Sequence, residues 1–600
     1  MALAEALRDG DVLLSNHRGH GHFLAGRPDL VKPLLAEIMG LDEGLCGGIG
    51  GSQHLHAEGF YSNGVQGGMT PVAAGIACAK KLYGTDDIVA VCIGDGTTGE
   101  GVIYEAMNLA GAWKLPLLFM LERNGYAQST ATARTIAGDL QKRVEGFGLA
   151  FYKGDVWSPD ALCRLARQAV ESVRAGNGPA LLEVECFRLN AHSKGDDNRP
   201  PDLVAAFREK DPVNRFKRDF SKHADNYAAE ADATLATALA EISSVSCTYS
   251  PALNIETARV AWKPAATQSD GVRYGEALYD ALKTRLSEQS ETLLLGEDIE
   301  PPYGGAFKIT RDLGDQFPGR VLNTPISEAG IVGLGAGLAL GGFRPYVEIM
   351  FGDFLTLIFD QLQQHAAKFP VMYGKNIPLP LVVRSPSGGR RGYGPTHSQS
   401  LEKHFLGIPG LVVLACNHRL APGDMYRSLG AATKPHLVIE NKVLYTRPLM
   451  PPVFDGYQVL LSDETFPAVK LTPAGSQADV TIACYGGMLE IAEAALAGAF
   501  LEDEILCEII CCSRLHPLNL DPVFDSLKHT GRLLTLEEGP GFAGWGAELA
   551  AQATYAGIRM HAATRLAYDG LIPASAGREA ALLPGVDAVR NALRNLMRHA

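Results

Sequence analysis

No stretch of this 600-residue chain is long and apolar enough to span a bilayer. The longest uncharged apolar run goes from Ile331 to Phe343 before Arg344 and Pro345 interrupt it, short of the ~20 residues a membrane helix needs. Glu5, Arg8, Asp9 and Asp11 stand where a leader peptide would carry an apolar core. The expectation is a soluble, cytoplasmic protein without a membrane partner. A basic stripe is also missing: 67 acidic residues outnumber 54 basic ones, for a net charge of −13, which argues against a nucleic-acid partner. The 11 cysteines have no regular spacing. Cys507, Cys511 and Cys512 cluster, but no second cluster completes a zinc site, so the cysteines read as buried reduced thiols.

What the chain has in excess is glycine, 66 residues against an average of about 7%. Glycine clusters mark places where backbone turns tightly or closely approaches a neighbour. Short apolar runs at 88–93, 117–121, 181–184, 293–295, 379–383, 411–414, 480–484 and 533–536 alternate with helix-like stretches such as 101–113 and 330–340. That alternation predicts parallel sheets covered by helices, the α/β class. From about Phe207 to Gly271 the alternation lapses. There a helix is expected at 228–242, followed by a polar stretch with Pro251, Pro264 and Gln268.

One segment carries chemistry on its face. Residues 89–101 run strand, turn, helix through Gly94-Asp95-Gly96. Gly94, Gly96 and Gly99 fit the dinucleotide pattern G-x-G-x-x-G. However, Asp95 would repel a bare diphosphate, and no acidic residue about 20 positions on could hold a ribose. A second strand instead ends in Glu122-Arg-Asn124-Gly-Tyr126. One strand-helix-strand unit brings Asp95 and Asn124 to neighbouring strand ends, where open α/β sheets bind ligands. A carboxylate and an amide carbonyl are hard oxygen donors suited to magnesium, which also grips phosphates.

At these residues the chain resembles the thiamine diphosphate enzymes, whose signature is Gly-Asp-Gly followed by a distant Asn. Ser15-Asn-His-Arg-Gly-His-Gly-His22 and Arg188-Leu-Asn-Ala-His-Ser193 extend the resemblance to the α chain of 2-oxoacid dehydrogenases, especially the acetoin dehydrogenase branch. From Arg273 it passes to the β chain, through Gly296-Glu-Asp298, Thr324–Gly330, Arg344–Glu348, Ala367-Lys368 and His397–Glu402. Arg514–Leu518 and Leu536–Gly539 resemble the C-terminal domain shared with transketolases.

The resemblance implies two thiamine diphosphate-binding α/β domains and a transketolase-type C-terminal domain. They are expected at 1–215, 271–465 and 466–600, with a linker region at 216–270. It implies a magnesium ion on Asp95, Asn124 and the Tyr126 carbonyl. Arg18, Gln66, Gly94, Gly96 and Phe354 are expected at the cofactor, Arg18 on its diphosphate and Phe354 stacked on its pyrimidine. Glu328 exchanges a proton with the pyrimidine ring, and His192 and His397 handle protons and the acceptor. Gln66 stands where the family has an aliphatic prop, so a contact to a hydroxylated substrate is a further expectation. Only sixteen residues precede His17, where family α chains carry several dozen. The glycine clusters at Gly47–Gly51, Gly64–Gly68 and Gly94–Gly101 are expected to crowd phosphate and metal, and those at Gly330–Gly342 and Gly388–Gly394 to flank Glu328 and His397. The implied activity is cleavage of a 2-oxo acid or ketone with acyl transfer to a lipoyl-bearing partner. The alternative is two-carbon transfer to an aldehyde. Fusion of both halves implies a homodimer.

Overall fold

The computed structural model describes residues 1–193, 195, 197–242, 258–265, 271–374 and 377–598. It divides into two compact units: one takes Met1–Ser250, Ala329–Phe343 and Asp360–Leu379, the other Pro251–Glu328, Arg344–Phe359 and Pro380–Ala600. Among the described residues, no helix is long and apolar enough to cross a membrane.

The first unit is built on a seven-stranded sheet ordered His56–Ala57, Phe60–Ser62, Val12–Ser15, Val89–Gly94, Leu117–Arg123, Ala180–Glu185, Ala150–Asp155. Every pair is parallel except the first. Residues 89–93 and 117–121 are buried throughout, which is why these strands read as unbroken apolar runs. The Gly101–Trp113 helix occupies the residues expected of it and stops where Lys114 turns left-handed, at φ 47°.

Two glycine clusters have structural causes of their own, and only the first departs from the expectation. The amides of Cys46 and Gly48 donate to Glu37 Oε2 at 2.7 and 2.9 Å, and that of Gly51 to Oε1 at 2.9 Å. The Gly47–Gly51 loop therefore wraps a buried carboxylate of the chain itself, not a phosphate. At Gly330–Gly342 the cause is helix packing. A Cβ on Gly75, in the Met69–Tyr83 helix, would lie 2.7 Å from Gly337 Cα. One on Gly333 would lie 2.7 Å from Pro71 Cβ. The two helices meet backbone to backbone, an approach that only glycine permits.

The second unit carries two sheets. One runs Val321–Asn323, Thr292–Gly296, Arg344–Glu348, Val382–Ser387, His436–Asn441, Val412–Ala415, Arg514–His516, parallel except for the last strand. The other runs Trp262–Pro264, Tyr457–Ser462, Val469–Pro473, Cys507–Cys511, Val480–Cys484, Arg532–Pro540, Ala562–Tyr568. The expected division at 465/466 falls in the turn between the antiparallel strands Tyr457–Ser462 and Val469–Pro473. Within the expected 216–270 linker, Ser221–Glu241 is helical and Trp262–Pro264 pairs with Tyr457–Ser462. Residues 243–257 and 266–270, with Pro251 and Gln268, lie outside the described residues. Among the described residues, no disulfide joins the cysteines. Burial in the Cys507–Cys511 strand pushes the thiols at both its ends upward.

Candidate active site

Val89–Gly94 and Leu117–Arg123 lie side by side with Gly94 opposite Glu122, so the turns that follow them meet. Asp95 is 7% exposed. Its carboxylate accepts from the Gly125 amide at 2.8 Å, the Gly96 amide at 3.1 Å and the Thr132 hydroxyl at 3.2 Å. Burial pushes its carboxyl above the ordinary range, against those hydrogen bonds. Asn124 Oδ1 accepts from the Tyr126 amide at 2.9 Å, which folds the turn back on itself. Asp95 thus reaches the turn that carries Asn124 and Tyr126. A Cβ on Gly96 would sit 2.6 Å from Ala127 Cβ, so that position needs glycine, whereas at Gly94 the nearest atom is 3.7 Å away. Among the described residues, no three His, Cys, Asp or Glu side chains converge as a metal cluster. The donors at Asp95 are one carboxylate, one amide and main-chain oxygens. That set fits a hard cation that shares its shell with phosphate oxygens.

The histidine-rich loop divides into two groups. His54 Nδ1 accepts from the Gly64 amide at 3.4 Å and His56 Nδ1 donates to the Phe60 carbonyl at 3.0 Å. His22 lies between Ser15 Oγ, 2.8 Å, and Glu122 Oε1, 3.1 Å. These three brace the fold. His17 faces the site: its ring centroid is 5.3 Å from that of His192, and its Nδ1 is 2.7 Å from Gln66 Nε2. Arg18 donates to the His192 carbonyl, and Arg188 Nη1 lies 3.1 Å from His192 Nδ1. Thr97 donates to Gln66 Oε1 at 3.0 Å. Arg18, Gln66 and His192 are therefore linked through His17, Thr97 and Arg188, to which the sequence reading gave no role. Both polar ends of Gln66 are thus engaged within the chain.

In the second unit Glu328 begins the Glu328–Leu340 helix. Glu297, next to the Gly296 strand end, is 7% exposed, and its Oε1 has no hydrogen-bond partner among the described residues. Burial, and then the charge of Glu328, push its carboxyl up to about 7. An unmet buried acceptor beside a second carboxylate fits a ligand that brings ring-nitrogen and amino donors. Phe354 and Phe351 present their rings edge-on to His397, with centroids 5.3 and 4.8 Å away. Lys442 is fully buried; its Nζ donates to the His397 carbonyl at 2.8 Å and lies 5.4 Å from the Phe351 ring. Burial lowers it to about 8. The Gly388–Gly394 loop, like Gly47–Gly51, is filled from within. Glu538 accepts from the Gly389 amide at 2.6 Å, and Glu579 from those of Arg390 and Gly392, both at 2.8 Å. The sequence reading gave no role to Glu297 or Lys442, although a charged residue directly after the Thr292–Gly296 strand was a usable signal for Glu297.

Comparison with known proteins identifies the family. The dehydrogenase E1 component family matches residues 1–244, the transketolase pyrimidine-binding domain 270–448 and the transketolase C-terminal domain 471–589. The pyruvate dehydrogenase E1 α subunit of Rickettsia bellii is 35% identical over 229 residues, 37% of this chain and 69% of the relative. The β subunit from the same organism is 33% identical over 277 residues, 46% of this chain and 82% of the relative. Among solved structures, transketolase from Leishmania mexicana superposes with a TM-score of 0.65 at 16% identity, covering 99% of this chain and 90% of that one, a likeness of fold. The chain therefore belongs to the thiamine diphosphate-dependent 2-oxoacid dehydrogenase family, with α-like and β-like halves joined in one polypeptide.

Proposed function

We propose that the chain decarboxylates a 2-oxo acid and passes the acyl unit to a lipoyl-bearing partner protein, working as a homodimer. The observation that carries this is that one polypeptide matches both the α and the β subunits of pyruvate dehydrogenase E1 at 33–35% identity. Bound thiamine diphosphate would supply the electron sink that loss of a carboxylate needs. Asp95, Asn124 and the Tyr126 carbonyl would hold magnesium, and Arg18 would hold the diphosphate through its guanidinium. Gly96 keeps the turn close enough to Ala127 for that set to form. Phe354 gives the pyrimidine ring an apolar face. Glu328 would face a ring nitrogen of the pyrimidine, where its carboxylate could take up or give a proton, and Glu297 beside it ionises only near neutral pH. His192 and His397 would hold and move protons at the substrate.

Thermal unfolding with thiamine diphosphate and magnesium tests the cofactor reading. Ligand at 100 times its dissociation constant adds about 2.7 kcal/mol of stability, so the midpoint rises; an unchanged midpoint overturns the reading. Incubation with pyruvate and either a lipoylated carrier or an aldehyde tests the transfer. Acylation of the carrier supports it, and a new carbon–carbon bond without acylation points to two-carbon transfer.

A further inference from the structure

Gln66 is a departure from the family pattern, and its surroundings define a role for it. Its Nε2 lies 3.4 Å from the Gly64 carbonyl and 2.7 Å from His17 Nδ1. Its Oε1 accepts from the Thr97 hydroxyl at 3.0 Å. A hydroxyl suits either end of an amide, but a carbonyl oxygen only accepts. The Gly64 carbonyl therefore fixes the amide orientation and turns the NH2 group toward His17. An imidazole nitrogen that accepts carries no proton, so neutral His17 carries its proton on Nε2. Burial, His192 and Arg18 all lower the His17 pKa and keep the ring neutral. Nearby, His192 Nδ1 meets the Arg188 guanidinium, which can only donate. The two imidazoles, 5.3 Å apart, thus share one tautomer set by different partners.

We propose that Gln66 is a positioning residue that locks His17 as the Nε2–H tautomer, so that His17 offers a fixed hydrogen bond to an anionic oxygen. That oxygen belongs to the carboxylate of a 2-oxo acid or to the cofactor diphosphate. The ligand part of this inference rests on the proposed function, whereas the tautomer does not.

The test therefore has two arms. In the first, the full-length protein without cofactor, carrying ¹⁵N only in histidine, is examined by long-range proton–nitrogen correlation. His17→Gln assigns the signal. His17 should show a protonated Nε2 and a bare Nδ1. Gln66→Glu should protonate Nδ1, and Gln66→Leu should let the tautomers exchange. A parent His17 protonated at Nδ1, or a pattern unchanged in both variants, overturns the proposal. In the second arm, Gln66→Glu and Gln66→Leu are assayed with pyruvate at varied thiamine diphosphate and magnesium. Loss of one charge-assisted hydrogen bond predicts about a tenfold weakening. A rise in KM for pyruvate with kcat held assigns the oxygen to the substrate, and a rise in the cofactor concentration needed assigns it to the diphosphate. If neither constant moves in either variant, the ligand role is refuted. A parent protein with no turnover refutes the functional reading and leaves the tautomer to the first arm.

Discussion

In the first unit the carboxylate at the centre of the site, Asp95, is surrounded by neutral donors, two backbone amides and a hydroxyl. The second unit solves a different problem. There the buried Glu297 feels the charges of Glu328 and Glu348. The buried Asp353 and Glu538 face Lys442, which donates to the His397 carbonyl, and Arg384 and Lys442 are buried cations among them. Neutral donors leave Asp95 a net charge that a cation can meet. Carboxylates packed against one another make ionisation costly and keep a proton on the assembly near neutral pH, as the rise of Glu297 to about 7 indicates. One half is thus arranged to bind charge and the other to store a proton.

Glu328→Gln attacks the proton-storing half directly. Turnover should fall about 10³-fold, the usual scale for loss of a general acid–base group, while the thermal shift with thiamine diphosphate and magnesium persists. Retained turnover would remove Glu328 from the proton path. Arg384 is the largest structural lever. Its Nε and Nη2 meet Glu440 at 3.0 and 2.5 Å, and its Nη1 meets Glu348. Arg384→Met strands two buried carboxylates and should cost about 3–5 kcal/mol in chemical denaturation. A smaller loss would mean that Tyr426 and Tyr445, which both donate to Glu440 at 2.6 Å, hold the charge unaided.

The pH dependence of stability sharpens the contrast. Glu297 ionises near 7 in the folded chain and near its ordinary value of 4.5 when unfolded. Between those values the folded state binds the extra proton, so its contribution is present below pH 4.5 and is lost as pH rises through 7. At about 1.4 kcal/mol per unit the loss is about 3 kcal/mol. Glu297→Gln should flatten this part of the curve relative to the parent. The shift of Glu537, also to about 7, remains in both proteins and cancels from the comparison. Parallel curves would show that Glu297 is not the group concerned.

Much of this was readable in advance, for identifiable reasons. Val480–Cys484 and Gly101–Trp113 fall on the expected residues, because buried parallel strands and the helices between them leave continuous apolar and helical runs. Asp95 reaches the turn that carries Asn124 because a single strand-helix-strand unit sets their spacing. Glycine reports close approach without saying what approaches, and it misled at Gly47–Gly51. Glu37 fills one cluster, Glu538 and Glu579 fill another, and Gly75 meets Gly337. Those partners are far along the chain or carry no motif. Gln66 with His17, and Glu297 with Glu328, pair through the fold alone, and no local pattern announces them.

The smallest expected effect tests the neutral half. Thr132 Oγ1 donates to Asp95 Oδ2 at 3.2 Å, beside the Gly125 amide at 2.8 Å. Thr132→Val keeps the shape and removes one donor, so it should cost about 1 kcal/mol near neutral pH. Burial already raises the Asp95 carboxyl, and loss of a donor to its charged form raises it further. The cost should therefore fade in acid, where Asp95 is protonated in both proteins and a hydroxyl gains little from facing it. Denaturation of the two proteins at neutral and acid pH measures this. A penalty as large as that of Arg384→Met, or one that grows in acid, would show that Asp95 leans on Thr132 as a buried ion leans on its partner. The distinction between the halves would then fail.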